Sequence, residues 1–294
     1  MLPSLWSGNC SCHWQSLEPT PMPLGAVSQA IQLLPLIVLG LIAFGFYLRR
    51  QIICRQQLQG VRWLQAMRIL LAHIQKHRGL SAGVMSGDRS LLPQLEEVQQ
   101  LISRDLLHIA DVGDWVKDNV NWLAVTAHWA RLAGRLHSMG LLNAIDQHNR
   151  LIKNILVFID DIAAEHYLTK DVRGAPNNWR ELLAAAESVG QARALGTALT
   201  AGGRYFEFAL KTRAELIQVM LQLQEMLEKT DLPLAQQQAV NELLNYIKTH
   251  ILVNEQSSAA DFFARATTCL DSILLAFDTE LSQVQQRLSN VRST

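Results

Sequence analysis

The chain has 294 residues, and 49% of them are hydrophobic, which is enough to bury a sizeable core. Its 26 basic residues balance its 26 acidic ones, so no basic field argues for nucleic acid as a partner and no acidic excess argues for disorder. The four cysteines, Cys10, Cys12, Cys54 and Cys269, are too scattered for a disulfide framework and include no CxxC pair, which indicates a reducing compartment.

The N-terminal tail and the segment that follows it differ sharply in polarity. Residues 1–25 have no periodic apolar pattern, so we expect a disordered tail, in which Met22 is a second possible start. Residues 26–48 carry no charge and include the run LLPLIVLGLIAFGFYL, dense enough in large apolar residues to cross about 30 Å of hydrocarbon. The sequence therefore predicts a transmembrane helix over residues 26–48.

The basic residues predict the orientation of this helix. No Lys or Arg precedes it, so the positively charged start of a cleaved signal peptide is missing. The arginines that follow it closely are Arg49, Arg50, Arg55, Arg62 and Arg68. By the positive-inside rule, we expect the large C-terminal part to be cytoplasmic.

Residues 52–294 show helical periodicity almost throughout and no run of alternating β-branched residues, so the predicted class is all-α. Turn-forming residues predict about eight helices after the anchor, of which the first continues from the transmembrane helix. The predicted breaks are 87–88, 111–113, 139–140, 173–177, 202–203, 231–233 and 255–257. The longest polar segment, 170–178, suggests halves at about 52–170 and 176–294, that is, an antiparallel bundle of two packed four-helix units.

Two helices have clear apolar faces. In the last helix, Ser258 followed by Asp261 is typical of a helix N-terminus. Its predicted buried face consists of Phe262, Ala266, Cys269, Ile273, Phe277, Leu281, Val284 and Leu288. Trp115, Trp122 and Trp129 are spaced seven apart and predict one aromatic stripe, which is more typical of a core than of a ligand site.

Catalytic and metal-binding motifs are missing. There is no GxSxG, HExxH, Walker or GxGxxG pattern, so we predict no enzymatic activity and no cofactor. His73 and His77 are four residues apart and could chelate a metal, but no carboxylate or cysteine stands at a matching spacing. We therefore expect ordinary helix-surface or core histidines and no metal site.

Two segments share the pattern of an arginine followed by Leu and small residues. They are QKHRGLSAG at 75–83 and GQARALGTA at 190–198, and the small residues at 79 and 83, and at 194 and 198, form flat strips. Close helix packing explains the strips, since glycine inside a helix costs about 1 kcal/mol relative to alanine. It does not explain the arginines, because a desolvated guanidinium needs a partner. If the strips face each other, Arg78 and Arg193 could converge on a small planar oxyanion.

With these motifs, the sequence resembles the nitrate- and nitrite-sensing (NIT) domain of bacterial receptors and regulators. The matching features are RGLSAG at 78–83, ESVGQARALGTAL at 187–199, and Arg265-Ala266-Thr267 with Asp271 on the last helix. The resemblance covers residues 60–285, nearly all of the chain that follows the anchor.

The resemblance implies two packed helical bundles that bind nitrate or nitrite between helices through arginines. The ligand-binding residues predicted from it and from the first motif are Arg78, Arg193, Arg265, His77, Gly79 and Ser81. Where some members have consecutive arginines, this chain has His77 before Arg78, which implies a pH-dependent site charge.

Members of this family commonly carry an output module, such as a kinase, a methyl-accepting region, a cyclase or an RNA-binding segment. None is recognisable here, so we expect the signal to pass to a partner protein that the sequence does not identify. The expected location is the bacterial inner membrane, with a single span. A homodimer is left open, because no a/d seam is long and exposed enough to predict one.

A different class of protein remains as an alternative. A membrane-anchored helical scaffold or adaptor with no small-molecule ligand would expose apolar strips on the Gln-rich helices around 218–228 and 235–245. It would also have Arg78 and Arg193 paired with carboxylates.

Overall fold

The computed structural model describes residues 24–169, 179–201, 206–229, 232–253 and 258–293. All the regular structure in these residues is helical, and none of them lies in a strand, as predicted. The eight α-helices are α1 (Leu24–Ser86), α2 (Leu92–Asp111), α3 (Val120–Arg135), α4 (Leu141–Glu165), α5 (Trp179–Thr200), α6 (Phe206–Lys229), α7 (Leu234–Tyr246) and α8 (Ala259–Ser293). This agrees with the predicted number, in which the first helix continues from the transmembrane segment.

The helix boundaries have local causes. α1 ends at Ser86 because Gly87 adopts φ +120°, a left-handed conformation that favours glycine. At the start of α8, the hydroxyl of Ser258 accepts a hydrogen bond from the Asp261 N–H at 3.0 Å, as the sequence pattern predicts. The predicted breaks at 173–177, 202–203 and 255–257 lie outside the described residues, as do Asp231 and the tail up to residue 23.

Backbone contacts divide the chain into two compact units, residues 1–50 and 51–294. In the first unit, the side chains from Leu34 to Arg50 are all exposed. α1 contains a segment, beginning at Leu34, that is apolar and long enough to cross a membrane.

In the second unit, α5 is the central helix. Its side chains are buried on nearly every face from Leu182 to Ala198, and it packs against α4, α6 and α8. Alanine and glycine make up much of this helix, and small side chains let neighbouring helices approach closely. α8 covers it with the predicted apolar face, of which seven residues are buried and Val284 is half-buried.

The predicted tryptophan stripe is wrong in its geometry. Trp115 lies in a separate 3₁₀ turn, Asp114–Asp118, and Asn119 then caps α3 by accepting hydrogen bonds from the N–H groups of Asn121 and Trp122. The rings still meet in the core, because Trp115 and Trp122 lie 5.9 and 5.5 Å from the ring of Phe158 on α4. Tertiary packing, not a shared helical face, therefore brings them together.

Candidate functional site

The strip of small residues at 79 and 83 on α1 lies against α5, where it meets Arg193 and Thr197 instead of the predicted small residues at 194 and 198. A Cβ added to Gly83 would lie 3.1 Å from Cγ2 of Thr197, and one added to Gly79 would lie 3.5 Å from Nε of Arg193. One added to Gly190 would lie 2.7 Å from Nη2 of Arg78. The missing side chains therefore leave room for each helix to receive the guanidinium of the other.

Arg78 is fully buried and forms an ion pair with Glu187 of α5. Its Nη1 and Nη2 donate to the two carboxylate oxygens at 2.6 and 3.1 Å, the bidentate arrangement that suits a guanidinium. Nη1 also donates to Oδ1 of Asn149 on α4 at 2.5 Å. Arg78 thus ties together α1, α4 and α5.

The carboxylate of Glu187 is saturated with donors. Besides Arg78, it accepts hydrogen bonds from the side-chain amides of Gln75 at 2.9 Å and Gln191 at 2.8 Å. Four donors match the acceptor capacity of a carboxylate. The charge of Glu187 is therefore held firmly beside Arg78.

Arg193 is buried, and no carboxylate of the described residues forms a hydrogen bond with it. Its Nη1 donates to the hydroxyl of Thr267 on α8 at 2.8 Å, and its guanidinium carbon lies 4.8 Å from the ring centre of Phe263. Its Nε and Nη2 are buried with no hydrogen-bond partner among the described residues. These two N–H groups form one edge of the guanidinium fork, which can bind two oxygens of a planar anion side by side.

The surroundings of Arg193 disfavour its charge. Burial, and then the positive charge of Arg78, lower the pKa of Arg193 to about 9, while Asp271 and Glu187 act in the opposite direction. The group is still protonated at neutral pH. It is thus a desolvated cation with two unused donors, and burying such a group without a partner is costly.

Other buried polar atoms on α1 and α5 also lack a partner among the described residues. Within the two motifs they are Oε1 of Gln75, Nε2 of His77, Nε of Arg78 and Oγ1 of Thr197, while Nε of Arg68, Oγ of Ser86 and Nε1 of Trp179 lie elsewhere on the same helices. Most buried polar groups in proteins are hydrogen-bonded, so a concentration of unpaired atoms on two facing helices is unusual. It is the arrangement expected where a polar ligand or water completes the hydrogen bonding.

His77 points toward α3 and α4. Nδ1 of His148 lies 2.7 Å from the carbonyl oxygen of Ala144 and donates a hydrogen bond to it. Nε2 of His148 therefore accepts a hydrogen bond from Nδ1 of His77 at 2.9 Å. Burial lowers the pKa of His77 to about 4. The imidazole is therefore neutral at neutral pH, which differs from the expectation that it makes the site charge pH-dependent.

Two of the other predicted site residues stay close to these groups. The hydroxyl of Ser81 lies 3.3 Å from Nδ1 of His77, and Gly79 lies against Phe263 and Arg193. Both belong to the part of α1 that faces the buried arginines.

The structure does not bring Arg265 to the buried arginines. It lies two residues before Thr267, which places it on a different face of α8. There it is exposed, pairs with Asp261 at 3.0 Å, and lies over the ring of Tyr246 at 4.7 Å. Arg265 was assigned to the site from the family resemblance, and the buried face predicted for α8 does not include it.

His73, four residues before His77, lies beside α2 instead of α4. Its Nδ1 is 2.6 Å from a carboxylate oxygen of Asp105, and His77 makes its contacts with α3 and α4. The described residues contain no group of three or more side chains with the arrangement of a metal site.

Sequence reasoning missed Glu187, Thr267 and Asn149 as members of the site. A signal for Glu187 was present, since Glu187 and Arg193 are the only charged residues between Leu182 and Ala198, in a run dominated by Ala and Leu. Charged residues are rarely buried unless they are paired. Asn149 carried no such signal, because its contact with Arg78 depends on the packing of α4.

The ion pair lies close to solvent on one side. A surface cleft of about 320 Å³ is lined by Glu187, Asn149, Gln191, Arg150, Lys153 and Leu156. A neighbouring cleft of about 570 Å³ shares Asn149 and Gln191. Two basic side chains therefore flank the surface above Glu187.

These features define an all-α bundle with a buried, incompletely paired arginine cluster between its helices. The chain belongs to the nitrate- and nitrite-sensing (NIT) family, whose model, described as nitrate and nitrite sensing, matches residues 70–291. The match includes both buried arginines.

Comparison with solved structures finds a similar fold in "Structure of the NasR transcription antiterminator". The similarity has a TM-score of 0.59 at 15% sequence identity, and it covers 86% of this chain and 76% of that one. At this identity the likeness concerns the fold. No curated protein matches the chain in a sequence search.

Proposed function

We propose that this protein is a membrane-anchored sensor that binds nitrate or nitrite between α1, α5 and α8 and signals through a partner protein. The observation that carries the proposal is the unpaired edge of Arg193, whose buried Nε and Nη2 have no acceptor among the described residues. Membership of a nitrate- and nitrite-sensing family supports the identity of the anion.

The shape and charge of the ligand follow from this edge. Nitrate, nitrite and carboxylates present two oxygens in one plane, which match two parallel N–H donors. Chloride offers only one acceptor atom, which both N–H groups of the same edge must share. We therefore expect the oxyanions to bind more tightly than chloride.

The proposed signal begins with the relief of an unfavourable contact. Two buried cations lie on α1 and α5, and Glu187 pairs with Arg78 alone, while the charge of Arg78 lowers the pKa of Arg193. An anion at Arg193 compensates its charge and draws the surrounding helices together. Signalling requires that the anion prefers one of two helix arrangements, and a tenfold preference corresponds to about 1.4 kcal/mol.

The test is thermal unfolding of the full-length chain in neutral detergent with nitrate, nitrite or chloride. A bound anion at one hundred times its Kd adds about 2.7 kcal/mol to the free energy of unfolding. The shift should disappear in Arg193→Ala. An unchanged melting temperature with both oxyanions, or an equal shift in Arg193→Ala, contradicts the proposal.

Arg265→Ala is the matched control. Arg265 lies on α8, as does Thr267, but it is exposed and paired with Asp261. The geometry predicts that this variant keeps the nitrate shift. Loss of the shift would support the role for Arg265 that the family resemblance implies.

The scaffold alternative predicts that both Arg78 and Arg193 pair with carboxylates. The ion pair of Arg78 with Glu187 supports it for the first of these arginines. Of the large apolar side chains in the predicted strips at 218–228 and 235–245, Leu221 on α6 is exposed, and Leu210 and Ile217 are exposed earlier on the same helix. The absence of an oxyanion-dependent shift, together with specific binding of a protein to α6, would favour this second function.

A further inference from the structure

The buried cluster of Arg78, Arg193 and Glu187 contains three charged groups, so its charges cannot cancel. The fully buried Arg78 and Arg193 contribute two positive charges, and Glu187 contributes one negative charge. His77 and His148 lie next to the cluster, but burial lowers the pKa of both, so they are neutral at neutral pH. The buried groups of the cluster, as far as the structure describes the chain, therefore sum to a single positive charge.

Other charged groups that face the cluster lie at the surface. Asp271 on α8 acts on Arg193, but its side chain is exposed. Arg150 and Lys153 on α4 line the cleft outside Glu187. Exposed charges are screened by water and salt, so the buried groups dominate the charge that a buried anion meets.

Glu187 is held too firmly to be displaced from Arg78 when a ligand binds. Its oxygens accept four hydrogen bonds, from Arg78, Gln75 and Gln191. Breaking them would strand Arg78 without its carboxylate in the core. A ligand at Arg193 therefore meets the same single positive charge as in the empty site.

A single excess positive charge discriminates between anions by their charge. The cost of moving an ion from water into a protein core grows with the square of its charge in the Born treatment. One unpaired guanidinium can balance a singly charged anion but leaves a doubly charged one half-compensated. Nitrate and nitrite carry one negative charge, whereas sulfate carries two.

We infer that Glu187 is the residue that restricts this site to singly charged oxyanions, by cancelling the charge of Arg78 and leaving only that of Arg193. The inference rests on the proposed function and adds a specificity determinant to it. Replacing Glu187 by a neutral residue of the same shape raises the buried charge to two.

The experiment compares wild type, Glu187→Gln and Glu181→Gln, as full-length chains in neutral detergent, by calorimetric titration with sodium nitrate and sodium sulfate. Glu181 lies on the same helix but is exposed, so it controls for the loss of a carboxylate elsewhere. We expect wild type and Glu181→Gln to bind nitrate at least a hundredfold more tightly than sulfate. We expect Glu187→Gln to bind nitrate more tightly than wild type and to reduce the preference over sulfate at least tenfold.

The outcomes separate the inference from the proposed function. If wild type binds nitrate, and a folded Glu187→Gln has the same preference or binds nitrate more weakly, Glu187 merely positions Arg78 and the inference is overturned. If wild type binds neither anion but Glu187→Gln binds sulfate, the proposed function fails and the charge role stands. If neither chain binds either anion, both fail.

A second variant covers the case in which Glu187→Gln does not fold. Glu187→Asp retains the negative charge and changes only the reach of the side chain. The inference requires that Glu187→Asp keep the wild-type preference for nitrate over sulfate. A tenfold change in that preference would overturn it.

Discussion

Arg78 and Arg193 are both inaccessible to solvent, yet the fold treats them differently. Arg78 donates to a carboxylate and an amide, whereas Arg193 finds, among the described residues, one hydroxyl partner and no acceptor for the edge formed by its Nε and Nη2. Removing a paired buried charge destabilises a protein strongly, because its partner is left as an unpaired buried charge. A buried charge that is incompletely paired instead opposes folding. The two arginines should therefore have opposite effects on stability when they are removed.

Arg78→Met should lower the free energy of unfolding by about 3–5 kcal/mol, because it leaves Glu187 buried without its cation. Arg193→Met should raise it by about 1–3 kcal/mol in nitrate-free buffer, because it removes an unsatisfied desolvated group. Thr267 keeps its hydrogen bond to the carbonyl oxygen of Phe263 in that variant. Chemical denaturation of the two variants measures the effect, and destabilisation by Arg193→Met would show that its edge is satisfied in the empty protein.

Protonation of His77 should destabilise the protein in acid. The unfolded imidazole binds its proton near pH 6.5 and the folded one near 4, so between these values the unfolded state holds more protons. Stability is complete above about pH 6.5 and should fall by roughly 3 kcal/mol as the pH drops to 4. Denaturation across this range should show a smaller loss in His77→Gln, and an equal loss would exclude His77 as the cause.

At the scale of the elements, α1, α5 and α8 meet through residues that lack side chains. A Cβ on Gly196 would lie 2.2 Å from Cε1 of Phe262, so the ring of α8 occupies the space beside this glycine. Gly83 and Gly190 leave similar space between α1 and α5. The helical penalty of glycine is therefore offset by closer packing and by room for the buried guanidinium groups.

Gly196→Ala should lower the free energy of unfolding by about 1–3 kcal/mol, because the fully buried ring of Phe262 must shift. Gly134→Ala in α3 is the matched control, since nothing lies within 4 Å of its added Cβ. There the substitution should stabilise the protein by about 0.5–1 kcal/mol. Thermal or chemical unfolding measures both variants, and effects of the same sign would contradict this account of Gly196.

At the scale of the whole molecule, the segment from Leu34 to Leu48 differs in its exposure from the other described residues. The side chains from Leu34 to Leu48 are exposed, although most of them are large and apolar, whereas such residues form the core of the unit from 51 to 294. An exposed apolar surface of this size suits a lipid environment. It supports the proposal that residues 26–48 form the anchor.

Reporter fusions at the C-terminus should place the bundle in the cytoplasm. The arginines that follow residue 48, and the absence of any before it, predict that a C-terminal fluorescent protein is active and a C-terminal alkaline phosphatase is inactive. Replacing Arg49 and Arg50 by Glu should lower the fraction of chains with this orientation. An active phosphatase in the unmodified chain would contradict the predicted topology.

The all-α class, the number of helices and the buried face of α8 were readable from the sequence alone. Helical periodicity and turn residues act over a few positions, so the chain carries this information locally. The motifs at 75–83 and 190–198 were readable for the same reason, and so was the prediction that Arg78 and Arg193 belong together. Their role in binding an anion stays a prediction.

Only the tertiary structure decided which partner each arginine meets. Glu187 neutralises Arg78, Thr267 takes a single N–H group of Arg193, and Arg265 turns to the other face of α8. These contacts depend on the rotation of α5 and α8 about their axes. A shift of one residue turns a helix by about 100°, which sequence patterning cannot resolve for isolated polar residues. The sequence therefore predicts two buried arginines. The packing of α4, α5 and α8 leaves Arg193 with two N–H groups that have no acceptor among the described residues.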